Sequence, residues 1–327
     1  MKTKYLKHPK KTIIMKILNE IRTAIIILLS LSGPMVVFGQ QDPIYSQYIF
    51  NMQTVNPAYV GSWQTMGFVA LDREQWLGIT GHPTTQSFSF QTPILNQNVG
   101  VGLDMVIDKL GSERRVMLGA SYSYRISIDE ATSLRFGLKA GFTNYNNNLP
   151  TLQPFPDGQA DPVLQNAITS KFMPNIGTGL FLSSSKYYLS LSLPKLFETK
   201  INENSGYSSR MSEAREYYLL GGVVFNVSDN LKFKPTFMTK AAVGSPFQYD
   251  LSANFLMAEK FWLGGVYRSG DAVGVVAQWI INNRLRIGYA IDFTTTDLKN
   301  YHNGVHELML SYEIAFIKKE YTSPRYF

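Results

Sequence analysis

The sequence predicts a transmembrane antiparallel up-and-down β-barrel of about 14 strands with an irregular N-terminal segment. Short stretches alternate apolar residues with small or polar ones, and turn-forming clusters separate them. Residues 116–128 show this best, because one face reads Val, Leu, Ala, Tyr, Tyr, Ile, Ile and the other Met, Gly, Ser, Ser, Arg, Ser. Alternation alone fits a soluble sandwich or a membrane barrel. The export-type leader and the absence of cysteine favour the barrel.

The leader, residues 1–39, is predicted to be a cleaved secretory signal peptide. Its basic start precedes an apolar run at residues 24–31, and it ends in the small residue Gly39. Met15 is an alternative start that gives a more ordinary signal length. An N-terminal membrane anchor is the competing interpretation, although Gly33-Pro34 interrupts the run. Removing this segment lowers the formal net charge from +7 to about +1, so the basic pI does not indicate nucleic-acid binding.

Residues 40–327 are predicted to form a single outer-membrane barrel domain, with residues 40–65 as its N-terminal segment. The length suits one barrel, and we find no linker composition that would divide it. Without cysteine, neither a disulfide nor a lipoprotein anchor can form. The 19 Tyr, 20 Phe and 4 Trp suit aromatic girdles at the membrane interfaces, and Trp76, Trp262 and Trp279 are predicted to anchor there.

The predicted strands form an even set, which places both ends of the barrel on one side of the membrane. Polar pairs such as Asn282-Asn283 suit tight hairpin turns. Residues 145–174 and 194–215 are predicted to be long loops, the first rich in Pro, Asn, Gln and Asp and the second in Ser, Asn and Glu. In order, the strands are 66–75, 86–92, 99–109, 116–128, 133–144, 175–183, 187–193, 217–227, 231–239, 248–257, 261–267, 272–280, 285–294 and 306–316.

Glycines and charged residues recur on the polar side of these strands. Strand glycines allow a curved sheet, and a lumen partly filled by another segment would favour them. An Arg or Lys facing lipid at the bilayer midplane costs about 2–4 kcal/mol, so most strand charges are predicted to face the lumen. They are Arg73, Glu74, Asp104, Asp108, Lys109, Arg125, Arg135, Lys139, Asp250, Arg268, Arg286, Asp292 and Glu313.

Enzyme chemistry is not predicted. His306-Glu307 is the best candidate pair, but adjacent strand residues point to opposite faces, so a structural hydrogen-bonding role is favoured. The few histidines and the absence of cysteine leave too few ligands for a metal site, and no cofactor is indicated. No Ser, His and acid spacing indicates a hydrolase, so no catalytic residue is assigned.

Residues 41–62 form the most distinctive segment. Prolines interrupt it, and its aromatic residues need a covering surface, which the interior or rim of a barrel would offer. An ordinary N-terminal arm packed on the fold is the competing interpretation. The candidate client-facing or lumen-facing residues are Asp42, Pro43, Tyr45, Gln47, Tyr48, Asn51, Asn56, Pro57 and Tyr59.

The chain resembles the PorP/SprF family of Bacteroidetes outer-membrane proteins, which is linked to type IX secretion and gliding motility. The resemblance rests on six ordered motifs that span residues 40–327. Departures occur at Ala290-Ile291-Asp292 and at residues 303–307, and they leave the client open. The matching stretches are residues 42–61, 73–79 with 81–85, 108–111, 288–292, 304–308 and 324–327.

The resemblance implies a non-enzymatic barrel that binds and helps to secrete or anchor a surface adhesin or other client. Expected partners are a client with a C-terminal secretion domain, periplasmic secretion or motility components, and outer-membrane lipid. Two alternatives stay open from the residues themselves. The charged, glycine-rich inner face also fits a small-solute pore, and a soluble periplasmic β-protein is the competing location. The sequence does not decide whether the lumen is open or plugged.

Overall fold

The computed structural model is a closed barrel of 14 antiparallel strands, as the alternation predicts. It describes residues 43–63, 65–94, 97–148, 168–200, 212–243 and 245–314. The predicted leader, Asp42 and the last family-like motif at residues 324–327 lie outside this part of the chain. Among the described residues, no helix is long and apolar enough to cross a membrane.

Neighbouring strands in the chain pair in sequence, and β17 pairs with β1 to close the ring. The strands are β1 (Met66–Glu74), β2 (Thr84–Ile94), β3 (Val99–Leu110), β4 (Glu113–Ser127), β5 (Ser133–Asn147), β6 (Ile168–Ser183), β7 (Tyr187–Leu193), β8 (Thr199–Lys200), β9 (Ser212–Glu213), β10 (Glu216–Val223), β11 (Phe225–Ser228), β12 (Leu231–Ala242), β13 (Gln248–Met257), β14 (Phe261–Arg268), β15 (Ala272–Ile280), β16 (Leu285–Thr294) and β17 (Val305–Ile314).

Two details explain why these 17 strands form a 14-stranded barrel: β8 and β9 lie outside the barrel sheet, and β10 and β11 together occupy one position in it. The short strands β8 and β9 pair only with each other within the described residues. The predicted strand at residues 217–227 is divided into β10 and β11, which both pair with β12. The division falls at Val224, whose buried side chain packs with Leu256 and Trp262.

Strict alternation sorts side chains between lipid and lumen. In β14 the exposed positions carry Phe261, Leu263 and Tyr267, whereas Trp262 and Arg268 face inward. Seven of the predicted inward charges are at least 96% buried: Arg73, Asp104, Arg135, Asp250, Arg268, Asp292 and Glu313. The prediction is wrong for Glu74 and Lys109, which lie on the outward face. Both lie at strand ends, where the surroundings are lipid headgroups rather than hydrocarbon.

The two ends of the barrel differ. The four longest connections, residues 75–83, 148–167, 194–215 and 295–304, all lie at one end, which we call the loop end. At the other, the turn end, no connection exceeds five residues, and the first and last barrel strands begin and end there. Bacterial barrels place short turns in the periplasm and longer loops outside. By this general rule, we expect the loop end to face the cell exterior.

One turn-end hairpin shows how tight turns are fixed. Asp129 accepts hydrogen bonds from the backbone N–H groups of Ala131 (2.8 Å) and Thr132 (2.7 Å). These bonds stabilise the ionised carboxylate and lower the pKa of Asp129. The short side chain of Asp129 thus stabilises the turn that connects β4 and β5.

The predicted loop at residues 145–174 is too long at both ends, because β5 runs to Asn147 and β6 begins at Ile168. Tyr145 and Met173 are buried in the lumen, which explains why the strands extend so far. Pro174 is tolerated in β6 because β7 covers β6 only from Thr178 onward, leaving an edge where no N–H is needed.

Candidate functional site

Residues 43–63, which we call the plug, fill the barrel lumen. They form three short 3₁₀ helices, Ser46–Phe50, Met52–Thr54 and Pro57–Tyr59. The carbonyl of Ile44 is bound by Arg73 near the loop end of β1. At the turn end, Nη2 of Arg135 donates hydrogen bonds to the carbonyls of Gly61 and Gln97. The plug therefore runs through the lumen from the loop end to the turn end.

The centre of the plug is shaped by Asn56. Its Oδ1 accepts a hydrogen bond from the N–H of Ala58 (2.8 Å), which caps the turn that Pro57 starts. Its Nδ2 donates to the carbonyl of Leu180 (2.9 Å) and to Oγ of Ser190 (2.7 Å). One fully buried amide thus shapes the plug and binds it to β6 and β7.

Replacing Asn56 by alanine is expected to lower the free energy of unfolding by about 2–3 kcal/mol. The substitution removes a helix cap and leaves buried polar groups without their partner. Urea-induced unfolding in detergent micelles measures this change. Asn226→Ala on the exposed strand β11 is the control and should be near neutral. Equal stability of both variants would contradict the capping role.

A buried ion cluster at the loop end consists of Arg73, Asp250, Arg268, Asp292 and Glu307. Nη1 of Arg73 lies 2.6 Å from Oε1 of Glu307. Arg268 contacts Oδ2 of Asp250 at 3.0 Å and Oδ2 of Asp292 at 3.5 Å. Each of these five residues is at most 3% exposed. The cluster thus contains three carboxylates and two guanidinium groups, so most, but not all, of its negative charge is neutralised.

The plug begins on this ion cluster. Glu307 accepts hydrogen bonds from the backbone N–H groups of Ser46 (2.8 Å) and Gln47 (3.1 Å). Oγ of Ser46 donates to Asp292 at 2.5 Å, and Arg73 donates to the carbonyl of Ile44 at 2.6 Å. Charge-assisted hydrogen bonds are shorter and stronger than neutral ones, so the cluster fixes this end of the plug.

His306 and Glu307 diverge, as their adjacent positions predict. The ring of His306 lies on the outer face, with Nδ1 at 2.6 Å from the hydroxyl of Tyr289, whereas Glu307 is buried in the lumen. The two side chains therefore cannot act together in proton transfer. Among the described residues, no group of three potential ligands is placed to hold a metal ion.

A second set of polar contacts lies midway along the plug. Nδ2 of Asn51 donates to Oγ of Ser89 (3.1 Å), which donates to Asp104 (3.1 Å), and Lys139 pairs with Asp104 at 3.3 Å. Nε2 of Gln53 donates to two carbonyls of the wall, in β2 and β3. A cavity of about 80 Å³ remains beside these groups, and Pro43, Tyr45, Asp104 and Lys139 contribute to its lining.

At the turn end, wall side chains bind the backbone of the plug. Arg135 donates to the carbonyl of Gly61 (2.6 Å), and Oγ of Ser123 donates to the carbonyl of Val60 (2.5 Å). The N–H of Gly61 donates to Oε1 of Gln91 at 2.9 Å. Both ends of the plug are therefore fixed largely through backbone groups, which most side-chain substitutions in the plug leave in place.

An aromatic contact near β12 corrects one prediction. Trp262 is not an interfacial anchor: it faces the lumen and is 2% exposed. Its ring lies 5.3 Å from Nζ of the buried Lys234, which also donates to the carbonyl of Ile49 at 3.4 Å. A strand-end position did not reveal which face the side chain occupies. Trp279, on the outward parity, is 57% exposed.

Glycines of the wall mark where the plug comes closest. A Cβ atom at Gly137 would overlap the backbone N and Cα of Ala58, and one at Gly179 would overlap Oδ1 of Asn56. The packing at both positions requires the absence of a side chain. This agrees with the expectation that strand glycines would accompany a filled lumen.

The structure brings the predicted segment residues together inside the barrel. Pro43 is partly exposed beside the cavity, and Asp42 lies outside the described residues. Ser46 and Gln53 were not predicted, and no pattern in the sequence distinguished them from their neighbours. The remaining predicted residues, all buried, are Tyr45, Gln47, Tyr48, Asn51, Asn56, Pro57 and Tyr59.

The closed ring, the apolar outer face and the polar, filled lumen define a transmembrane β-barrel of the outer-membrane type. A family model described as type IX secretion system membrane protein PorP/SprF matches residues 37–312. The chain belongs to this family.

Solved structures similar to this chain include the following three. The CymD monoaromatic hydrocarbon channel is 12% identical, with 87% of this chain and 98% of that one covered and a TM-score of 0.48. For Acinetobacter baumannii Omp33 the identity is 8%, the coverage 77% and 99%, and the TM-score 0.45. A Pseudomonas aeruginosa FadL homologue is 11% identical, with 83% of this chain and 95% of that one covered and a TM-score of 0.43. No curated protein sequence matches this chain significantly.

Proposed function

We propose that this chain is a plugged, non-enzymatic barrel that binds a type IX secretion client and helps to secrete it or anchor it at the surface. The expected client is an adhesin with a C-terminal secretion domain. The observation that carries the proposal is the filled lumen of a family member in a secretion system. A lumen occupied by its own chain suits the holding of a partner better than the passage of solutes. Cleavage of residues 1–39 on export, leaving one domain at 40–327, belongs to this proposal.

The client is proposed to contact the loop end. The four longest connections lie there, and long exterior loops are the usual binding elements of barrels. Pro43 and Ile44 are the partly exposed start of the plug at this level. Tyr48 and Tyr59 are at most 1% exposed, so a client would reach them only if the plug moved. Periplasmic secretion or motility components would contact the turn end.

Purification from membranes in mild detergent tests client binding. The variant Leu298→Ser with Tyr301→Ser removes two exposed apolar side chains at the loop end, 40% and 73% exposed. We expect the wild-type barrel to retain its client, the double variant to lose at least half of it, and a deletion strain to release the client from the surface. Ile281→Ser, an exposed apolar residue at the turn end, is the matched control and should retain the client. A wild-type barrel that purifies alone, with clients still surface-attached in the deletion strain, would refute the proposal.

A small-solute pore is the second candidate, and the cavity beside Lys139 and Asp104 is the observation that favours it. The cavity is small, about 80 Å³, because the plug occupies the rest of that level. Planar-bilayer recordings discriminate between the two functions. Single-channel steps from the intact chain would support the pore, and silent membranes would support the client-binding barrel.

A further inference from the structure

The outer face of the barrel carries one pair of cations. Among the barrel-strand residues that the structure describes, Lys109 in β3 and Arg114 in β4 are the only Lys or Arg on the outward parity, and both are exposed. They lie directly opposite each other in the β3–β4 register. Directly opposed residues of antiparallel strands have Cβ atoms about 5 Å apart, and like charges there are destabilising.

In the part of the chain that the structure describes, no protein group neutralises this pair. Within the described residues, neither side chain makes an ion pair or a side-chain hydrogen bond. Among the described barrel-strand residues, the carboxylates on the outward parity are Asp72 and Glu74 of β1, two strands away from β3. Oε2 of Glu74 lies 3.4 Å from Nδ1 of His82. On the described surface of the barrel, the Lys109–Arg114 pair therefore presents two uncompensated positive charges.

The pair lies at the edge of the lipid-facing apolar band. It is at the loop end, and the next outward residues toward the barrel centre are Ile107 and Val116. Its outward neighbours in the same row are Thr84 and Asn146, which are polar. This level corresponds to the headgroups of the exterior leaflet. At the turn end of β4, the outward positions are Tyr124 and Ile126, so the same strand carries no such charge at its other end.

We propose that Lys109 and Arg114 bind the phosphate group of a phosphorylated lipid in the exterior leaflet. Such a phosphate supplies the negative charge that neutralises the two opposed cations. The guanidinium group of Arg114 can donate two hydrogen bonds to phosphate oxygens while the ammonium group of Lys109 acts as a point charge. The acyl chains of the same lipid lie against the apolar band below. This site is independent of client binding.

Native mass spectrometry of the full chain in neutral detergent, with added phosphatidic acid, tests the proposal. The variant Lys109→Gln with Arg114→Gln is expected to lower the affinity for this lipid about 25-fold, since each basic residue near an anionic surface contributes about fivefold. Lys260→Gln with Arg284→Gln removes two exposed cations at the turn end and is the control. Diacylglycerol, which lacks the phosphate, should not distinguish the variants.

A third variant separates binding from folding. Arg114→Glu places a carboxylate opposite Lys109, so it should raise the melting temperature in lipid-free detergent while abolishing the preference for phosphatidic acid. Equal phosphatidic acid binding by the wild type and the Lys109→Gln with Arg114→Gln variant would overturn the proposal. So would an equal loss of binding in the turn-end control.

Discussion

Replacing Gly137 by valine is expected to open the barrel to ions. The new side chain would project from the inner face of β5 into the backbone N and Cα of Ala58, neither of which can move aside as a flexible side chain could. Overpacking in a well-packed interior costs about 1–3 kcal/mol. We expect the turn at Pro57–Tyr59 to shift away from β5 to relieve this strain, because β5 is held on both sides by neighbouring strands. Planar-bilayer recordings should show single-channel steps for Gly137→Val and none for the wild type.

Gly265→Val is the matched control for this experiment. Gly265 lies on the outward face of β14, and the nearest atom to a Cβ there is the carbonyl oxygen of Gly274 at 3.9 Å. The added side chain meets lipid, so this barrel should remain silent. Protease treatment gives a second readout, because a displaced plug becomes cleavable between residues 43 and 63. A Gly137→Val barrel that is silent and has a protected plug would show that the plug packs elsewhere in the lumen.

The strands were predictable because the alternation of residues within each strand indicates which face meets lipid and which meets the lumen. In β4, the alternation of Leu118, Ala120 and Tyr122 with Gly119 and Ser121 carries the parity that separates lipid from lumen. That signal is local and needs no knowledge of neighbouring strands. The same reasoning failed at residues 145–174, where loop-forming composition concealed two strand extensions.

The candidate site was predictable only in part. The proline and aromatic content of residues 41–62 indicated a segment that needs a covering surface. This composition could not show that Glu307 accepts a hydrogen bond from the N–H of Ser46, because 261 positions separate the two residues. Nor could it assign Lys234 to the carbonyl of Ile49. Contacts between a plug and its wall depend on three-dimensional closure, which periodicity does not encode.

Replacing Arg73 by methionine is expected to release the start of the plug and to destabilise the barrel by about 3–5 kcal/mol, the usual cost of leaving a buried charge without its partner. The guanidinium group pairs with Glu307 at 2.6 Å and lies 4.0 Å from Asp292, so its loss leaves excess negative charge inside the lumen. It also removes the donor to the carbonyl of Ile44. Urea-induced unfolding measures the loss of stability, and protease cleavage near residue 44 measures the release of the plug.

Adding Glu307→Gln to Arg73→Met separates the two contributions. The double variant removes one carboxylate together with the guanidinium group, so the lumen regains its charge balance and stability should recover in part. The plug should nevertheless stay cleavable, because the neutral amide binds the N–H groups of Ser46 and Gln47 more weakly than the carboxylate does. Recovery of stability without recovery of plug protection would assign the ion cluster a specific role in holding the plug. Recovery of both would instead mean that the cluster acts only through the charge balance of the lumen.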